Sequence, residues 1–179
     1  MAQTDEDQTL INLVSSGDRE AMRQLYERHY GGLFAFLRGR GADTSLANDT
    51  VQEAMLQVWR TADKFGGKSS VKTWIYTIGR NKLIDRQRKN TRLSFVDNVP
   101  DAADPAPNPE ALLIAANEAG RVRACLDKLK PTHRNALRLA FYEDLNYEEI
   151  SSLEDIPVGT VKTRIFHAKR LLIGCLGRT

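Results

Sequence analysis

The sequence predicts an all-α protein of two small helical domains joined by an extended, acidic, proline-rich linker. Three observations carry that expectation. Apolar residues recur at spacings of three and four over most of the chain, the period of a helix with one buried face. Four of the six prolines fall between positions 100 and 109, mixed with Asp and Ala, a composition that buries too little surface to fold alone. From Asn146 to Leu172 a helix-turn-helix is legible almost letter by letter.

Taken in order, a short first helix covers about 8–16 and stops at Gly17, and Asp18 starts a longer one over about 19–38. Met22, Leu25, Tyr26, Leu33, Phe36 and Leu37 are its apolar residues, and Gly39 and Gly41 punctuate it. A third helix runs from Ser45 to Asp63, with Val51, Ala54, Val58 and Ala62 on one face. The stretch Gly66-Gly67-Lys68-Ser69-Ser70 reads as a loop. Val71, Trp74, Ile75 and Ile78 then open a fourth helix that ends near Arg88. The proline-rich segment sets the domain limits at 1–92 and 111–179, with 93–110 as the linker.

Asn108-Pro109-Glu110 restarts helix with an N-cap and a proline at the first helical position. Leu112, Ala115, Ala119, Val122, Leu126 and Leu129 follow as a packing seam. A helix from Thr132 to Tyr142 leads into the helix-turn-helix. There Asn146 and Glu149 form a capping-box pattern, and Ile150, Leu153 and Ile156 supply the apolar side. Pro157-Val158-Gly159-Thr160 breaks the chain, and Val161, Ile165, Ala168 and Leu172 make the buried stripe of the second helix.

The net charge of +3 hides strong segregation. Positions 80–92 hold six basic residues and one acid, Asp85, whereas positions 93–120 hold five acids and no Lys or Arg. Such blocks mark local basic surfaces separated by an acidic segment. No apolar run is long enough to span a membrane, and the acidic start Met-Ala-Gln-Thr-Asp-Glu-Asp is unlike a signal peptide; both point to the cytoplasm. Cys125 and Cys175 form no metal motif and fall where a helix expects small apolar residues, so buried free thiols are expected. The sequence calls for no metal and no cofactor.

Two stretches carry chemistry. The second helix of the helix-turn-helix presents Lys162, Thr163, Arg164, His167, Lys169 and Arg170 opposite its apolar stripe, with no acid between 160 and 170, a face suited to a DNA major groove. The fourth helix interleaves Trp74 and Tyr76 with Lys72, Arg80, Lys82, Arg86, Arg88 and Lys89. Cations neutralise phosphates, aromatic faces stack on unpaired bases, and Asn81 offers an amide to a base edge. That set suits single-stranded DNA better than a duplex groove. The blander reading makes Trp74 and Ile78 core and the basic run a solvated face; for Trp74 both roles are compatible.

These residues match a family. The fourth helix resembles the promoter-melting segment of bacterial sigma factors, approximately W-L-Y-x-I-A-R-N-x-x-I-D-x-x-R. Ala47-Asn48-Asp49-Thr50-Val51-Gln52-Glu53-Ala54-Met55-Leu56-Gln57-Val58-Trp59 resembles their polymerase-clamp-binding segment, A-E-D-L-V-Q-E-x-F-L-x-x-W. Tyr147-Glu148-Glu149-Ile150 and Gly159-Thr160-Val161-Lys162-Thr163-Arg164 are similar to their Y-x-E-I-A and G-T-V-K-S-R patterns. Order, spacing and length resemble the small extracytoplasmic-function (ECF) group of the sigma-70 family, over about residues 10–92 and 110–173.

The resemblance implies region 2 at 1–92 and region 4 at 111–179. Asp49, Gln52 and Glu53 would meet the beta-prime clamp of core RNA polymerase, which together with the beta subunit is the implied protein partner. A flipped base of the −10 element would sit at the 66–70 loop and the start of the fourth helix, near Arg80, Asn81 and Lys82, with Lys72, Trp74, Tyr76 and Arg86 completing the promoter-melting face. In the last helix Lys162, Thr163, Phe166 and His167 would face −35 bases, while Thr160, Arg164 and Arg170, with Arg134, would meet phosphates. An anti-sigma factor is the further implied partner; membrane insertion and an obligate homo-oligomer are not implied. The linker would run through polymerase toward the RNA exit path. Some positions depart from the pattern: Met55 stands for an aromatic, Ser151 for Ala, Lys130 shifts the turn proline by one, and Glu154 and Asp155 precede the recognition helix, where both are expected to face solvent.

The rival reading is an operator-binding regulator, a dimer on a palindrome, which the linker and the aromatic-basic fourth helix fit poorly. A decoy that only titrates an anti-sigma protein has no use for two basic DNA-facing helices. An enzyme would have to be built on Asp49 and Glu53, with His29, His133 and His167 scattered and no phosphate-binding glycine loop.

Overall fold

A computed structural model describes residues 2–93 and 120–177. The described residues form helices and turns, with no strand among them, and divide into two units on either side of residue 100. Of the linker expected at 93–110, Leu93 is the last residue of the fourth helix and the rest lies outside the described residues, as do the helix start at Asn108-Pro109 and the seam positions Leu112, Ala115 and Ala119.

The first unit contains α1 (Ala2–Ser15), α2 (Arg19–Arg38), α3 (Thr44–Thr61), a 3-10 turn (Ala62–Lys64) and α4 (Val71–Leu93). Side-chain caps start three of these helices. Asp18 accepts from the amides of Glu20 and Ala21 at 2.8 and 3.0 Å, and Asp43 accepts from Leu46 at 2.7 Å. Ser70 Oγ accepts from the Thr73 amide at 3.3 Å. Such bonds satisfy N–H groups that a helix start leaves unpaired. Ile11, Leu25, Leu33, Phe36, Val51, Val58, Ile75 and Leu83 bring all four helices into one core. Gly79 marks the tightest approach: a Cβ there would stand 2.8 Å from Leu33 Cδ1, so glycine lets α4 lie close against α2 where the family pattern has alanine.

Two helices outrun the sequence expectation. α4 continues to Leu93 because its Lys, Arg and Gln residues are good helix formers even without an apolar period. α1 reaches back to Ala2 and is anchored by buried polar contacts: Asp7 is only 4% exposed and its Oδ2 lies 2.9 Å from Nε2 of the buried His29. Arg28 adds Nη1 to Asp7 at 3.0 Å and Nη2 to Glu6 at 2.6 Å. Burial alone would raise the Asp7 pKa, but His29 and then Arg28 outweigh it and hold the carboxyl below its ordinary value of 3.8.

Because the folded pKa is depressed, the stability Asp7 contributes is complete above its unfolded value and is lost as pH falls through the lowered folded value. Asp7→Asn is therefore expected to destabilise the first unit by about 1–3 kcal/mol at neutral pH, the cost of taking the carboxylate acceptor away from buried His29 and part-buried Arg28. Urea melts of wild type and variant should converge below the ordinary carboxylate range. A gap that persists unchanged into acid would contradict the ion-pair role.

The second unit holds α5 (described over 120–127), α6 (Pro131–Phe141), α7 (Tyr147–Glu154) and α8 (Val158–Leu176). Leu129, Ala136, Leu139, Leu145, Ile150, Leu153, Val161, Ile165 and Ala168 form its core. The capping box at α7 is present: Asn146 Oδ1 accepts from the Glu149 amide at 2.8 Å, and Glu149 Oε2 accepts from the Asn146 amide at 3.0 Å. Asp155 ends α7 in the left-handed region, φ 56°, a conformation Asp tolerates better than most residues.

Two expectations are corrected here. The seam of α5 does not run through Val122, which is 41% exposed; Cys125 takes that role at 7%, because the buried side of α5 follows its contact with α8. Nor are the cysteines free thiols. Cys125 and Cys175 form a disulfide, with Cα atoms 5.9 Å apart. The small-residue positions that made both look like ordinary core are the positions at which α5 meets the last turn of α8.

Candidate nucleic-acid and partner interfaces

A helix turns about 100° per residue, so residues seven apart share a face, about 20° from each other. Trp74 and Asn81 stand in that relation on α4, on the side away from Ile75 and Leu83. Asn81 is exposed, and Trp74 is half-buried, its ring 5.1 Å from that of Phe65 at the edge of the 66–70 loop. Gly67 in that loop has φ 66°, which only glycine adopts freely. The face thus joins an aromatic ring, an exposed amide and a loop bearing exposed Lys68 and Ser69. Arg80 flanks it, half-buried, with its Nε buried and without a hydrogen-bond partner. Lys72, two residues before Trp74 and about 160° from it round the helix, is half-buried.

Tyr76 does not belong to this face. It is fully buried, its ring 5.2 Å from Phe36, so both sides of the ring serve packing and none is open to a base. The alternation of aromatic and basic residues concealed the difference, since Trp74 and Tyr76 lie about 200° apart on the helix.

Asp49, Gln52 and Glu53 share the outer face of α3. The two acids are engaged within the chain. Arg86 Nη1 donates to Asp49 Oδ2 at 3.1 Å and its Nη2 to Glu53 Oε1 at 2.5 Å. The Glu53 carboxyl is lowered by the hydrogen bond from Arg86, with Lys82 and Lys89 adding positive field. Lys82, Arg86 and Lys89 recur at spacings of four and three, so they form one stripe directed at α3. Arg86 is turned about 140° away from Asn81. Expected on the DNA face, Arg86 instead belongs to the α3–α4 junction.

An apolar-lined groove between α2 and α3 adjoins these acids, walled by Met22, Tyr26, Gln52, Met55, Leu56 and Trp59. Sequence reading missed it. Its signal is Leu56, a large apolar residue 55% exposed and off the buried stripe of Ala47, Val51, Ala54 and Val58. Met55 packs in the core at 3% exposure, filling the place of the aromatic in the family pattern.

On α8 the buried stripe Val161, Ile165 and Ala168 turns the opposite side outward. Lys162, Thr163, Phe166, His167, Lys169 and Arg170 are exposed there, Phe166 at 61%, while Thr160 and Arg164 are half-buried at its margin. The Phe166 ring meets His167 edge-on at 5.6 Å, and His167 stacks on His133 of α6 at 6.1 Å. Burial, then the charges of Lys130, His167 and Arg164, depress the His133 pKa. Arg134 is ion-paired to Asp127 across the α5–α6 turn.

The two acids before α8 behave differently. Asp155 is exposed, as expected. Glu154 is half-buried rather than solvent-facing: its Oε1 accepts from Nδ2 of buried Asn135 at 3.0 Å. Its carboxylate is thereby drawn toward α6. Ser151 also acquires a reason, since its hydroxyl donates to the Ile156 carbonyl at 2.5 Å and closes the turn between α7 and α8.

The second unit carries a helix-turn-helix with a cationic outer face, and α4 of the first unit joins an exposed amide to an aromatic ring; both surfaces have the chemistry of a nucleic-acid-binding protein. Comparison with known proteins narrows the class. Residues 25–93 match sigma-70 region 2 and residues 119–172 match sigma-70 region 4. The chain is 34% identical to the ECF RNA polymerase sigma factor SigK of Mycobacterium tuberculosis, over 93% of this chain and 91% of the relative. It is 33% identical to the ECF RNA polymerase sigma-E factor of Escherichia coli, over 93% and 92%. The sigma factor RpoE of Bartonella quintana, solved in complex with the anti-sigma factor NepR, matches with a TM-score of 0.64 at 25% identity, covering 87% of this chain and 96% of that one. The chain belongs to the ECF sigma factors of the sigma-70 family.

Among the described residues no helix is long and apolar enough to cross a membrane, and no group of three His, Cys, Asp or Glu residues is placed to hold a metal ion.

Proposed function

We propose that this sigma factor works as a dissociable subunit that brings core RNA polymerase to its promoters through three surfaces. The outer face of α3, with the adjoining groove, docks on the beta-prime clamp through Asp49, Gln52 and Glu53. The outer face of α8 reads −35 duplex DNA: Lys162, Thr163, Phe166 and His167 address bases, and Thr160, Arg164, Arg170 and Arg134 address phosphates. The outer face of α4, with the 66–70 loop, holds a base of the melted −10 element through Trp74, Asn81 and Arg80, with Lys72 at the start of the helix, whereas Lys82, first expected there, lies on the flank directed at α3. The observation that carries this reading is the pairing of a major-groove helix with an aromatic-amide face on one chain. A duplex reader needs only the first.

The free energy for melting comes from binding exposed bases, so the protein catalyses no reaction itself. Regions 2 and 4 correspond to 1–92 and 111–179, with 93–110 between them, and the protein acts in the cytoplasm. The complex of the Bartonella relative with NepR supports control by an anti-sigma factor here as well.

Lys162→Ala tests the −35 surface. Lys162 is exposed, so the substitution spares the core, and holoenzyme affinity for −35 duplex is expected to fall by about 1–3 kcal/mol if a base contact is lost. Fluorescence anisotropy with specific and scrambled duplexes measures it. An equal loss on both would reassign Lys162 to phosphate.

A further inference from the structure

We propose that Arg86 is a positioning residue of the polymerase-binding face and not a DNA contact: one guanidinium spans Asp49 and Glu53 and holds both carboxylates at a fixed spacing on α3. The inference rests on the reading of α3 as the face that meets polymerase.

Geometry carries it. Arg86 reaches from α4 to two acids 37 and 33 positions earlier in the chain. It engages Oδ2 of Asp49 and Oε1 of Glu53, one oxygen of each. The other oxygens, Oδ1 and Oε2, take no part in these contacts, and the two acid side chains remain 53% and 42% exposed, against 30% for Arg86. The guanidinium is thus the more covered partner, and the acids still offer surface to an incoming cation. A planar fork suits this work, because it meets two carboxylates at once in a fixed geometry that a lysine ammonium does not reproduce. Two free carboxylates one helical turn apart would repel each other and sample several rotamers. Holding them in advance removes that ordering cost from association.

The location of Arg86 argues against the alternative. It lies on the flank of α4 directed at α3, about 140° from Asn81, with both arms of its guanidinium occupied. To reach DNA it would have to leave two carboxylates unpaired.

The test separates polymerase binding from DNA binding in the full-length protein. Affinity for core polymerase is measured for wild type, Arg86→Gln and Arg86→Lys, each also in an Asp49→Asn/Glu53→Gln background. Holoenzymes assembled at saturating core are then titrated with −10 fork DNA, and a thermal melt verifies that each variant is folded. Arg86→Gln is expected to weaken core binding about tenfold, with partial recovery in Arg86→Lys, and to have little effect in the acid-neutral background, since coupled residues are non-additive. Fork binding by the assembled holoenzymes should stay within about twofold of wild type. Unchanged core affinity in Arg86→Gln overturns the proposal, and so does an equal loss in the acid-neutral background, which marks a merely structural role. Weakened fork binding with intact core binding restores Arg86 to the DNA face. Wild type that fails to bind core overturns the polymerase-face reading, and this inference falls with it.

Discussion

Reducing the Cys125–Cys175 disulfide is expected to cost the C-terminal unit about 4 kcal/mol, the loop-closure entropy released to the unfolded chain when a 50-residue separation is opened. The unit is small, so its core is modest, and a loss of that size is a large fraction of what such a domain holds in total. The effect should be confined to that unit. Both tryptophans, Trp59 and Trp74, lie in the first unit, so tryptophan fluorescence follows one unit while far-UV circular dichroism follows both. In urea, reductant should shift part of the dichroism transition to lower denaturant and leave the fluorescence transition in place. Cys125→Ser/Cys175→Ser should behave like the reduced protein with or without reductant. Coincident melts under both conditions would show that α5 and the end of α8 are held by packing alone.

The second large effect is on promoter opening. Asn81 is exposed on α4 and is not part of the core, so Asn81→Ala should leave folding and core binding intact. Loss of an amide contact to an unpaired base edge is expected to lower fork-DNA affinity of the holoenzyme by about 1–3 kcal/mol, roughly 5–150-fold. Trp74→Ala removes a stacking platform of similar size but also the contact with Phe65. Trp74→Phe is the better variant, since it keeps an aromatic ring against Phe65 and should recover part of the affinity. Double-stranded −35 DNA should bind all three proteins equally. A matching loss on −35 duplex would mean that the substitutions disturb the whole protein.

Much of this architecture could be read in advance where local chemistry and packing agree. The α7–α8 unit is the clearest case. Its capping box and the stripe residues Val161, Ile165 and Ala168 are local signals that the structure reproduces, while Leu172, the fourth of the stripe, is half-buried. The misreadings share a physical cause: they concern partners far apart in sequence. Tyr76 looks like a stacking residue until α2 brings Phe36 against it. Arg86 looks like a phosphate ligand until α3 presents Asp49 and Glu53. Glu154 looks solvent-facing until α6 brings Asn135 to it, and the cysteines look like isolated core residues until α5 and α8 meet. The groove at Leu56 escaped notice for a related reason, since an exposed leucine carries meaning only beside the apolar residues of α2 that complete a surface.

These corrections sharpen the division of labour on the N-terminal unit. α4 has two working flanks: Trp74 and Asn81 look outward, whereas Lys82, Arg86 and Lys89 look toward α3. One helix therefore underlies both the face assigned to DNA and the face assigned to polymerase. Substitutions on its two flanks should separate cleanly in assays that measure the two partners independently.

The most direct test of the central claim is run-off transcription with purified bacterial core polymerase, this protein and DNA from upstream of its own gene. The expected result is a discrete transcript that requires the protein and is lost with Asn81→Ala or Lys162→Ala, while both variants still bind core. Sequence-specific duplex binding by a dimer without core, and no transcript with it, would contradict the account and assign the chain to operator-binding regulators.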